Sequence, residues 1–479
     1  MSIESYFQVV GQKTLAKVHQ ASLNVLANTG IVFQSEECLE IFKNNGAKVS
    51  GKTVLIPENM VTQALESAPS SFDWVARDEE KSIQFGSDQA EIHVSLNNGP
   101  IYIQDQDNGR RLGKEEDLVN LYKLAHNSNT CNIVGQIPVE PSDITGPTRH
   151  LEIFRRLLKH SDKPLFGYVG NTLELEQMFT MMKIASGNSV EDETFFDVPR
   201  IAVSLNPLSP LQFDQIPCQT ILQFARRRQP IMVLTCSMAG VTSPVDPMGT
   251  VVLQNVEILA GLVLAQLISP GTPVVYSPAS AIPNLRTGAY VTGLPMSGLI
   301  NMVGVQLARD LYHLPSRCMA GLTDAKTVDA QAGYETMQNY LMLAMSGVNM
   351  VNECYGLLDM IMTVSYEKFL IDDEIMARAA QVVRGIDSYE DDLSESIISE
   401  SGHGASYLMH PTTMKHCRGF WTPPLSTIDS YQGWEKKGGQ DVADRANTSY
   451  KEILSNCPET ILDNDLDQDL LSFIKNSVA

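Results

Sequence analysis

Seven short apolar runs that alternate with helical stretches constrain the fold of this chain more than any other feature. From about residue 131 onward they read CNIVGQIPVE, PLFGYVG, RIAVSLNP, PIMVLTCSM, TPVVYSPAS, SRCMAGLTD and VNMVNECYG. Their apolar residues do not alternate strictly with polar ones, which indicates strands covered on both faces and therefore a parallel sheet with crossover helices. GASYLMH, residues 404–410, is the candidate for an eighth strand. Eight such units predict an α/β fold, a (β/α)8 TIM barrel.

The two ends of the chain lack this parallel rhythm. Residues 1–125 contain a helical stretch near 12–28 and short strand-like runs around KTVLIPE and IHVSLNNGPIYIQD. We expect them to form an N-terminal α+β subdomain that flanks a barrel over residues 126–410. Residues 411–479 are expected to be a C-terminal extension packed on the barrel.

The charge balance excludes several classes of partner. Acidic residues outnumber basic ones, 56 to 35, for a formal charge of -21, and the 479 residues contain no Lys/Arg stripe. This balance disfavours nucleic acid and anionic membrane surfaces and allows a cationic small substrate or a basic protein partner. The N-terminus lacks the layout of a secretory signal, and the apolar stretch 258–267 is too short to span a bilayer. We therefore expect a cytoplasmic protein without a membrane anchor, whose eight scattered cysteines are reduced.

Common catalytic motifs are missing from the sequence. It contains no GxSxG nucleophile elbow, no GxGxxG after a strand and no GxxxxGK[ST] phosphate loop. Only His410, His416 and Cys417 lie close together as zinc-ligand types, without paired spacing elsewhere. No metal site is predicted.

In a (β/α)8 barrel, functional residues lie at the C-terminal ends of the strands and in the loops that follow. The candidates at these positions are Gln136, Tyr168, Asn206, Cys236, Tyr276, Asp324 and the cluster from Asn352 to Tyr355. The rings of Tyr168, Tyr276 and Tyr355 can attract an alkylammonium ion, although each can equally be a packing tyrosine. Asp324 and Glu353 would add attraction for a cation, while Asp324 could also be a capping residue beside Lys326.

Several long stretches carry a resemblance to a known family. They are HLEIFRRLLKHSDKPL (150–165), NPLSPL (206–211), the segment from MAGVTSPVDPMGT to PGTPVVY (238–276), LTDAKTVDAQAGYE (322–335), YGLLDMIMTVSYEKFLIDDEI (355–375) and HPTTMKHCRGFWTPPL (410–425). These stretches closely resemble the trimethylamine methyltransferase family over nearly the whole chain. The resemblance implies a barrel enzyme that moves a methyl group from an amine to the cobalt of a separate corrinoid protein. It implies no tightly bound cofactor, because the partner brings the cob(I)alamin.

One departure from the family's pattern concerns the substrate. Archaeal trimethylamine enzymes carry pyrrolysine near the end of the sixth strand, whereas RCMAGLTDAK here holds only ordinary residues, and the aligned position lies within about Arg317 to Thr323. The chain is similar to the branch without pyrrolysine, which demethylates quaternary amines such as betaines. A quaternary ammonium leaves as a neutral amine without proton transfer, so no general acid is required.

The resemblance assigns expected roles to the candidates. Asp324 and Glu353 are expected to be the catalytic residues. Substrate binding is expected from Gln136, Tyr168, Asn206, Tyr276, Arg317, Tyr355 and His403, and among these Arg317, Asn206, Gln136 or His403 could hold a betaine carboxylate. A homo-oligomer is expected. Two alternatives stay open, a catalytically silent paralogue that binds a quaternary amine and a tertiary-amine methyltransferase that lacks pyrrolysine.

Overall fold

The computed structural model describes residues 6–86, 91–135, 137–386 and 388–477. Eight parallel strands within these residues form a barrel. They are β1 (His93–Ser95), β2 (Cys131–Gly135), β3 (Leu165–Phe166), β4 (Ile201–Leu205), β5 (Ile231–Thr235), β6 (Val274–Pro278), β7 (Arg317–Met319) and β8 (Met350–Asn352). Neighbours pair in the order β6-β5-β4-β3-β2-β1-β8-β7, and a parallel bridge between Tyr276 and Ser316 joins β6 to β7. The predicted α/β barrel is confirmed.

Within the described residues, a long helix follows each strand and packs outside the barrel. The helices are α1 (Glu115–Asn127), α2 (Arg149–His160), α3 (Thr172–Ala185), α4 (Gln215–Arg226), α5 (Pro247–Ile268), α6 (Pro295–Leu307), α7 (Ala330–Ser346) and α8 (Tyr366–Arg384). Local signals set several of their ends. The Asp329 side chain accepts from the backbone N–H of Ala332 at the start of α7, and Gly347 ends that helix at a φ of 80°.

The position of one barrel strand differs from the prediction. Seven of the predicted strands are β2 to β8, but residues 404–410 form no strand, and the remaining barrel strand is β1, inside the segment 1–125. β1 has only three residues and pairs with β2, the next barrel strand along the chain, and with β8, which lies far away along the chain. The hydrophobic periodicity of a short segment does not reveal pairing with strands elsewhere in the chain. The run SRCMAGLTD, sixth among the seven predicted strands, is therefore β7, and the run VNMVNECYG, seventh among them, is β8.

The N-terminal elements cover one side of the barrel. They comprise helices Gln12–Asn28, Glu36–Asn44 and Glu58–Ser67 and strands Ile31–Phe33, Lys48–Ser50 and Thr53–Leu55, which form a sheet with Gln212–Phe213. All three helices contact α5. In the described part of the chain, α5 is the one helix long and apolar enough to cross a membrane, with a mean hydropathy of 1.9, and 83% of that window is buried. Burial on all sides accounts for a helix without a polar face.

A hairpin closes the N-terminal end of the barrel. Its strands are Ser71–Trp74 and Ile83–Gly86, joined through the 3-10 turn Glu79–Lys81. The rings of Phe72, Trp74 and Phe85 pack against Phe166 and Met350 from the barrel interior. Any open space inside the barrel must therefore lie at the opposite, C-terminal end, which we call the mouth.

A second small sheet stands beside the mouth. It contains the strands Leu357–Leu358, Thr363–Ser365, Tyr102–Asp105 and Gly109–Leu112, paired in that order. These strands belong to the loops after β8 and β1. The sheet holds the two loops together.

The remaining elements are short, except for two helices in the C-terminal extension. They are the 3-10 turn Thr194–Phe196, the π-helical turn Ala308–Tyr312 and helices Glu395–Ser401, Pro411–His416, Tyr431–Lys436, Val442–Asn456 and Asn464–Asn476. Val442–Asn456 packs on α8 and α1, and Asn464–Asn476 packs on α2 and α3. Arg155 of α2 donates to both carboxylate oxygens of Asp467 at 2.7 Å, which fastens the last helix.

Candidate active site

A cavity of about 350 Å³ opens at the barrel mouth. Its lining residues come from β4, β5 and β7 and from the loops after β1, β4, β5, β6 and β8, and they are Asn98, Ser204, Asn206, Leu234, Cys236, Tyr290, Arg317, Met319, Glu353, Met360 and Ile361. The volume lies at the small end of the range for ligand pockets, about 300 to 1,000 Å³. The site can hold a compact molecule with both polar and apolar parts.

Arg317 provides the positive charge of this cavity. It is the first residue of β7, and its side chain points into the barrel with only 1% of the residue exposed. The Nε and Nη1 atoms have no hydrogen-bond partner among the described residues. Burial lowers the pKa of Arg317, and the nearby Glu353 opposes that effect. A buried guanidinium with unused N–H groups is costly in isolation and well suited to an anionic ligand.

Glu353 provides the negative charge. It follows β8, is 5% exposed, and accepts hydrogen bonds from the backbone N–H of Asn98 at 2.8 Å and the side chain of Asn352 at 3.0 Å. Burial raises its pKa to about 7, against the lowering effects of the Asn98 bond and Arg317. At neutral pH the protonated form of this carboxyl group is therefore more favoured than in an ordinary glutamate. A cation bound in the cavity would favour the ionised form.

The loop after β8 has an unusual backbone. Glu353 has a φ of 55°, and Asp359, Met360 and Ile361 have φ values of 53°, 54° and 77°. A left-handed conformation is uncommon for residues other than glycine and clusters at functional sites. The backbone N–H of Asp359 donates to the carbonyl of Ala325 at 2.8 Å, which ties this loop to the loop after β7. The strained turn places Met360 and Ile361 over the cavity.

Asp324 lies in the loop after β7 and joins it to the loop after β6. Its carboxylate accepts from the backbone and hydroxyl of Thr292 at 2.9 and 3.0 Å and from the backbone of Gly293 at 3.0 Å. The loop after β6 also carries Tyr290, whose hydroxyl donates to the carbonyl of Ala279. Asp324 is not among the residues that line the cavity. It stabilises the loop that carries Tyr290, which does line it.

The structure does not bring the three predicted tyrosines together. Tyr168 donates from its hydroxyl to the carbonyl of Glu174 at 2.8 Å, beside a different cavity between α2 and α3. Tyr276 is fully buried and donates to the Asn255 side chain at 2.9 Å on the outer side of the barrel wall. Tyr355 is also buried, within 2.8 Å of the Thr130 hydroxyl. Each ring packs in a layer between helices and strands.

The remaining predicted site residues are divided among several places. Arg317, Asn206 and Glu353 line the mouth cavity, together with Cys236, whose pKa is raised to about 11 by burial. His403 is exposed in the segment that follows helix Glu395–Ser401, away from the mouth cavity. Gln136 lies outside the described residues. No group of three or more His, Cys, Asp or Glu side chains that could hold a metal occurs in the part of the chain that the structure describes.

Several cavity residues were missed by the sequence analysis. Asn98 follows the strand that was not recognised, and Tyr290 lies in a long loop after β6, fourteen residues beyond Tyr276, the strand position that the sequence analysis selected. Tyr290 is the aromatic residue among the described lining residues. The sequence did contain a signal for Tyr290, because the long segment AIPNLRTGAYVTG after the strand has polar residues and a tyrosine.

The family comparison covers almost the entire chain. The family model described as Trimethylamine methyltransferase (MTTB) matches residues 2–479. The chain is 34% identical over 469 residues to a glycine betaine methyltransferase of Desulfitobacterium hafniense (strain Y51), covering 98% of this chain and 96% of that relative. It is 31% identical over 428 residues to a proline betaine:corrinoid methyltransferase of Eubacterium limosum, covering 88% and 87%. It is 30% identical over 473 residues to the trimethylamine methyltransferase MttB of Methanosarcina barkeri (strain Fusaro / DSM 804), covering 96% and 93%.

Solved structures share the fold. The crystal structure of the hydroxylamine MtmB complex matches with a TM-score of 0.57 at 10% identity, covering 95% of this chain and 90% of that one. The Methanosarcina barkeri monomethylamine methyltransferase (MtmB) matches with a TM-score of 0.53 at 10% identity, covering 93% of each chain. At this identity the likeness concerns the barrel fold alone.

Proposed function

Since the chain belongs to the trimethylamine methyltransferase family, we propose that it transfers a methyl group from a betaine-type quaternary amine to the corrinoid of a separate partner protein. The observation that carries the choice of a betaine is Arg317, a fully buried cation with unused N–H groups in the mouth cavity. Trimethylamine has no anionic group to offer this arginine. A betaine has a carboxylate, and a charge-assisted pair with a guanidinium is among the strongest polar contacts that a protein makes.

The cavity's two charges match those of a zwitterion. Arg317 would bind the carboxylate of the substrate, and Glu353 would attract the quaternary ammonium group. The ring of Tyr290 and the side chains of Leu234 and Met319 supply apolar surface for the methyl groups. A neutral substrate would leave both buried charges unmatched, and a substrate with a single charge would leave one of them unmatched.

The chemical step asks little of the chain beyond binding and orientation. The C–N bond to the transferred methyl group breaks, and the nitrogen keeps the electron pair of that bond. The quaternary ammonium thereby becomes a neutral tertiary amine. The corrinoid of the partner supplies the reduced cobalt that accepts the methyl group. Because the positive charge on nitrogen decreases during transfer, Glu353 stabilises the bound substrate more than the transition state, so its contribution belongs to binding. The carboxylate contact of Arg317 fixes which methyl group points out of the barrel.

The rim of the mouth supports docking of a protein. Five of its loops and the first turn of α6 expose apolar side chains, namely Val169, Leu208, Val245, Leu285 and Met362 in the loops and Met296 in α6. Protein interfaces bury an apolar centre, and this rim encircles the cavity that the corrinoid must reach. We further propose that the protein works in the cytoplasm.

Methylation of cob(I)alamin tests the proposal directly. The protein is mixed with free cob(I)alamin, and separately with a reduced partner corrinoid protein, and each of five compounds is added, one of which is the tertiary amine trimethylamine. Glycine betaine, proline betaine and carnitine carry a carboxylate, and tetramethylammonium is the matched compound without one. We expect the absorbance change of corrinoid methylation with at least one betaine and more than 100-fold slower methylation with tetramethylammonium.

Three results would contradict the proposal. Equal rates with tetramethylammonium and the betaines would show that the carboxylate is not recognised. Turnover of trimethylamine alone would favour the tertiary-amine alternative. Binding of a betaine without methyl transfer to either corrinoid would favour the catalytically silent paralogue.

A further inference from the structure

A long segment between α8 and the C-terminal helices has no core of its own. Residues 388–424, which we call the arm, include helices Glu395–Ser401 and Pro411–His416, and none of these residues is buried. The stacked rings of Tyr389 and His416, 4.2 Å apart, hold its two limbs together. Ordering a segment costs conformational entropy, which burial of apolar surface normally offsets.

The arm is rich in exposed apolar side chains. Every residue of the arm is described, and nine large apolar side chains are exposed: Tyr389, Leu393, Ile398, Tyr407, Leu408, Met409, Met414, Phe420 and Trp421. Leu408 and Met409 are 73% and 77% exposed. Single exposed apolar residues are ordinary on a protein surface, whereas a dense group of them marks an interaction site.

The base of the arm lies at the end of the barrel opposite the mouth. α8 runs back along the barrel, so its last residue, Arg384, lies at the N-terminal end of the strands. The returning limb meets the same half of this helix. The guanidinium of Arg378 lies 5.3 Å from the ring centre of Trp421, and Glu374 accepts from the backbone N–H groups of Leu425 and Ser426 at 2.7 and 2.8 Å. A partner docked at the mouth would approach the other end of the molecule.

Charge is divided sharply along the arm. Residues 388–400 contain five carboxylates and no Lys or Arg, and residues 401–424 contain Lys415, Arg418 and three histidines and no Asp or Glu. Two such arms placed around a two-fold axis can set the acidic part of each against the basic part of the other. Self-complementarity of this kind is what an isologous contact requires.

We propose that the arm is an interface with a second copy of this chain. The arm is anchored at the end of the barrel opposite the face to which a corrinoid partner must dock, and its charge pattern complements itself rather than a uniformly basic partner. Its 37 residues with nine exposed apolar side chains are also enough to supply a standard interface, which uses about 20 to 30 residues a side. Contact between copies through the arm would bury the apolar surface that the single chain leaves open.

The mass of the full chain in solution tests this interface. Light scattering at micromolar concentration should give the wild type a multiple of the 52.8 kDa chain mass. The double variant Leu408→Glu and Met409→Glu should shift to the mass of one chain. The matched control, Leu173→Glu and Val190→Glu, changes side chains that are 67% and 52% exposed outside the arm and should keep the wild-type mass.

A measurement on the unmodified protein covers the case in which the variant does not fold. Amide hydrogens of residues 395–416 should exchange more slowly in the oligomer than after dilution below the concentration at which it dissociates. A wild type of 52.8 kDa at all concentrations overturns the proposal. So does an arm variant that folds and keeps the wild-type mass, including one that loses only its binding to the corrinoid protein. Unchanged exchange on dissociation has the same meaning.

Discussion

The barrel mouth and the arm depart from the usual distribution of side chains in opposite directions. At the mouth, polar groups are buried without partners, as in the guanidinium of Arg317 and the hydroxyl of Ser204. In the arm, apolar side chains such as Leu408 stand in solvent. Neither arrangement is favourable for a single chain by itself.

The difference indicates what each region binds. Buried, unpaired polar atoms require a ligand that is small enough to enter a cavity and polar enough to satisfy them. Exposed apolar residues over a long segment require another protein surface. The mouth should therefore respond to changes of charge, and the arm to changes of apolar surface.

The largest expected effect is at Arg317. Arg317→Met should lower kcat/KM for the betaine about 100-fold or more, because losing a buried charge-assisted pair costs about 3 kcal/mol. The same change should raise the melting temperature, since replacing a buried unpaired charge with an apolar side chain relieves its desolvation. Steady-state methylation of cob(I)alamin and thermal unfolding measure the two effects.

Arg317→Lys serves as the control, because it keeps the positive charge but replaces the planar guanidinium with a single ammonium group. It should retain part of the activity. If Arg317→Met lowers activity and stability together, Arg317 has a structural partner, and the contrast between mouth and arm fails.

The next effect concerns pH and Glu353. The raised pKa of about 7 means that kcat/KM for a quaternary amine should increase as the pH rises through 7, when the carboxylate forms. Glu353→Gln should remove this dependence and lower kcat/KM about 10-fold at pH 8, mainly through KM, as expected for lost attraction to the bound cation. Rate measurements from pH 5.5 to 8.5 test it, and equal pH profiles for both proteins would show that another group titrates.

Stability should change with pH in the opposite sense. A carboxyl whose pKa is raised from 4.5 to about 7 on folding binds a proton in the folded state that the unfolded chain has already released. Its contribution to the free energy of unfolding is therefore largest below pH 4.5 and decreases as the pH rises to 7. Relative to the wild type, Glu353→Gln should gain stability across this window. Denaturant titrations at pH 5 and pH 8 measure the difference.

A smaller effect is expected at Asp324. Asp324→Ala removes the acceptor of three hydrogen bonds from Thr292 and Gly293 and should loosen the loop that carries Tyr290. We expect a loss of about 1.5 to 3 kcal/mol in stability and about 10-fold in kcat/KM. Asp324→Asn, which keeps one acceptor oxygen, should recover part of both. A loss of activity at unchanged melting temperature would instead indicate direct contact with the substrate.

The smallest effect is expected at Tyr276. Its hydroxyl already has a partner, Asn255, on the outer side of the barrel wall. Tyr276→Phe should leave kcat/KM within twofold and lower stability by about 1 kcal/mol, the value of one lost hydrogen bond. A large loss of activity would mean that kcat/KM depends on residues in the barrel wall and not only on the unpaired groups at the mouth.

Much of the architecture could be predicted because it is written in local patterns. The doubly covered strands β2 to β8 are continuous apolar runs, and α7 begins and ends at a capping Asp329 and a left-handed Gly347. The missed strand, β1, has only three residues, and one of its two partners, β8, lies far away along the chain. A short strand of that kind acquires its identity only from its neighbours.

The candidate site was predicted less completely than the fold. Position at a strand end was a sound guide for Arg317, Asn206 and Glu353, which the barrel brings to one cavity. It was a poor guide to side-chain direction for Tyr276 and Tyr355, which face the helix layer. Because successive residues of a strand point to opposite faces, a shift of one position moves a side chain from the cavity to the outer layer.

The amino-acid sequence by itself determined the barrel class, seven of its eight strands and the family, since these depend on local periodicity and on long continuous motifs. Only the tertiary structure decided which polar groups are left without partners and which apolar residues are left without cover. Both are properties of burial, and burial depends on contacts between residues that are distant in the chain. The sequence offered Arg317 as one of four candidates for holding a betaine carboxylate, and only the closed barrel shows that its guanidinium is buried with N–H groups that lack a partner among the described residues.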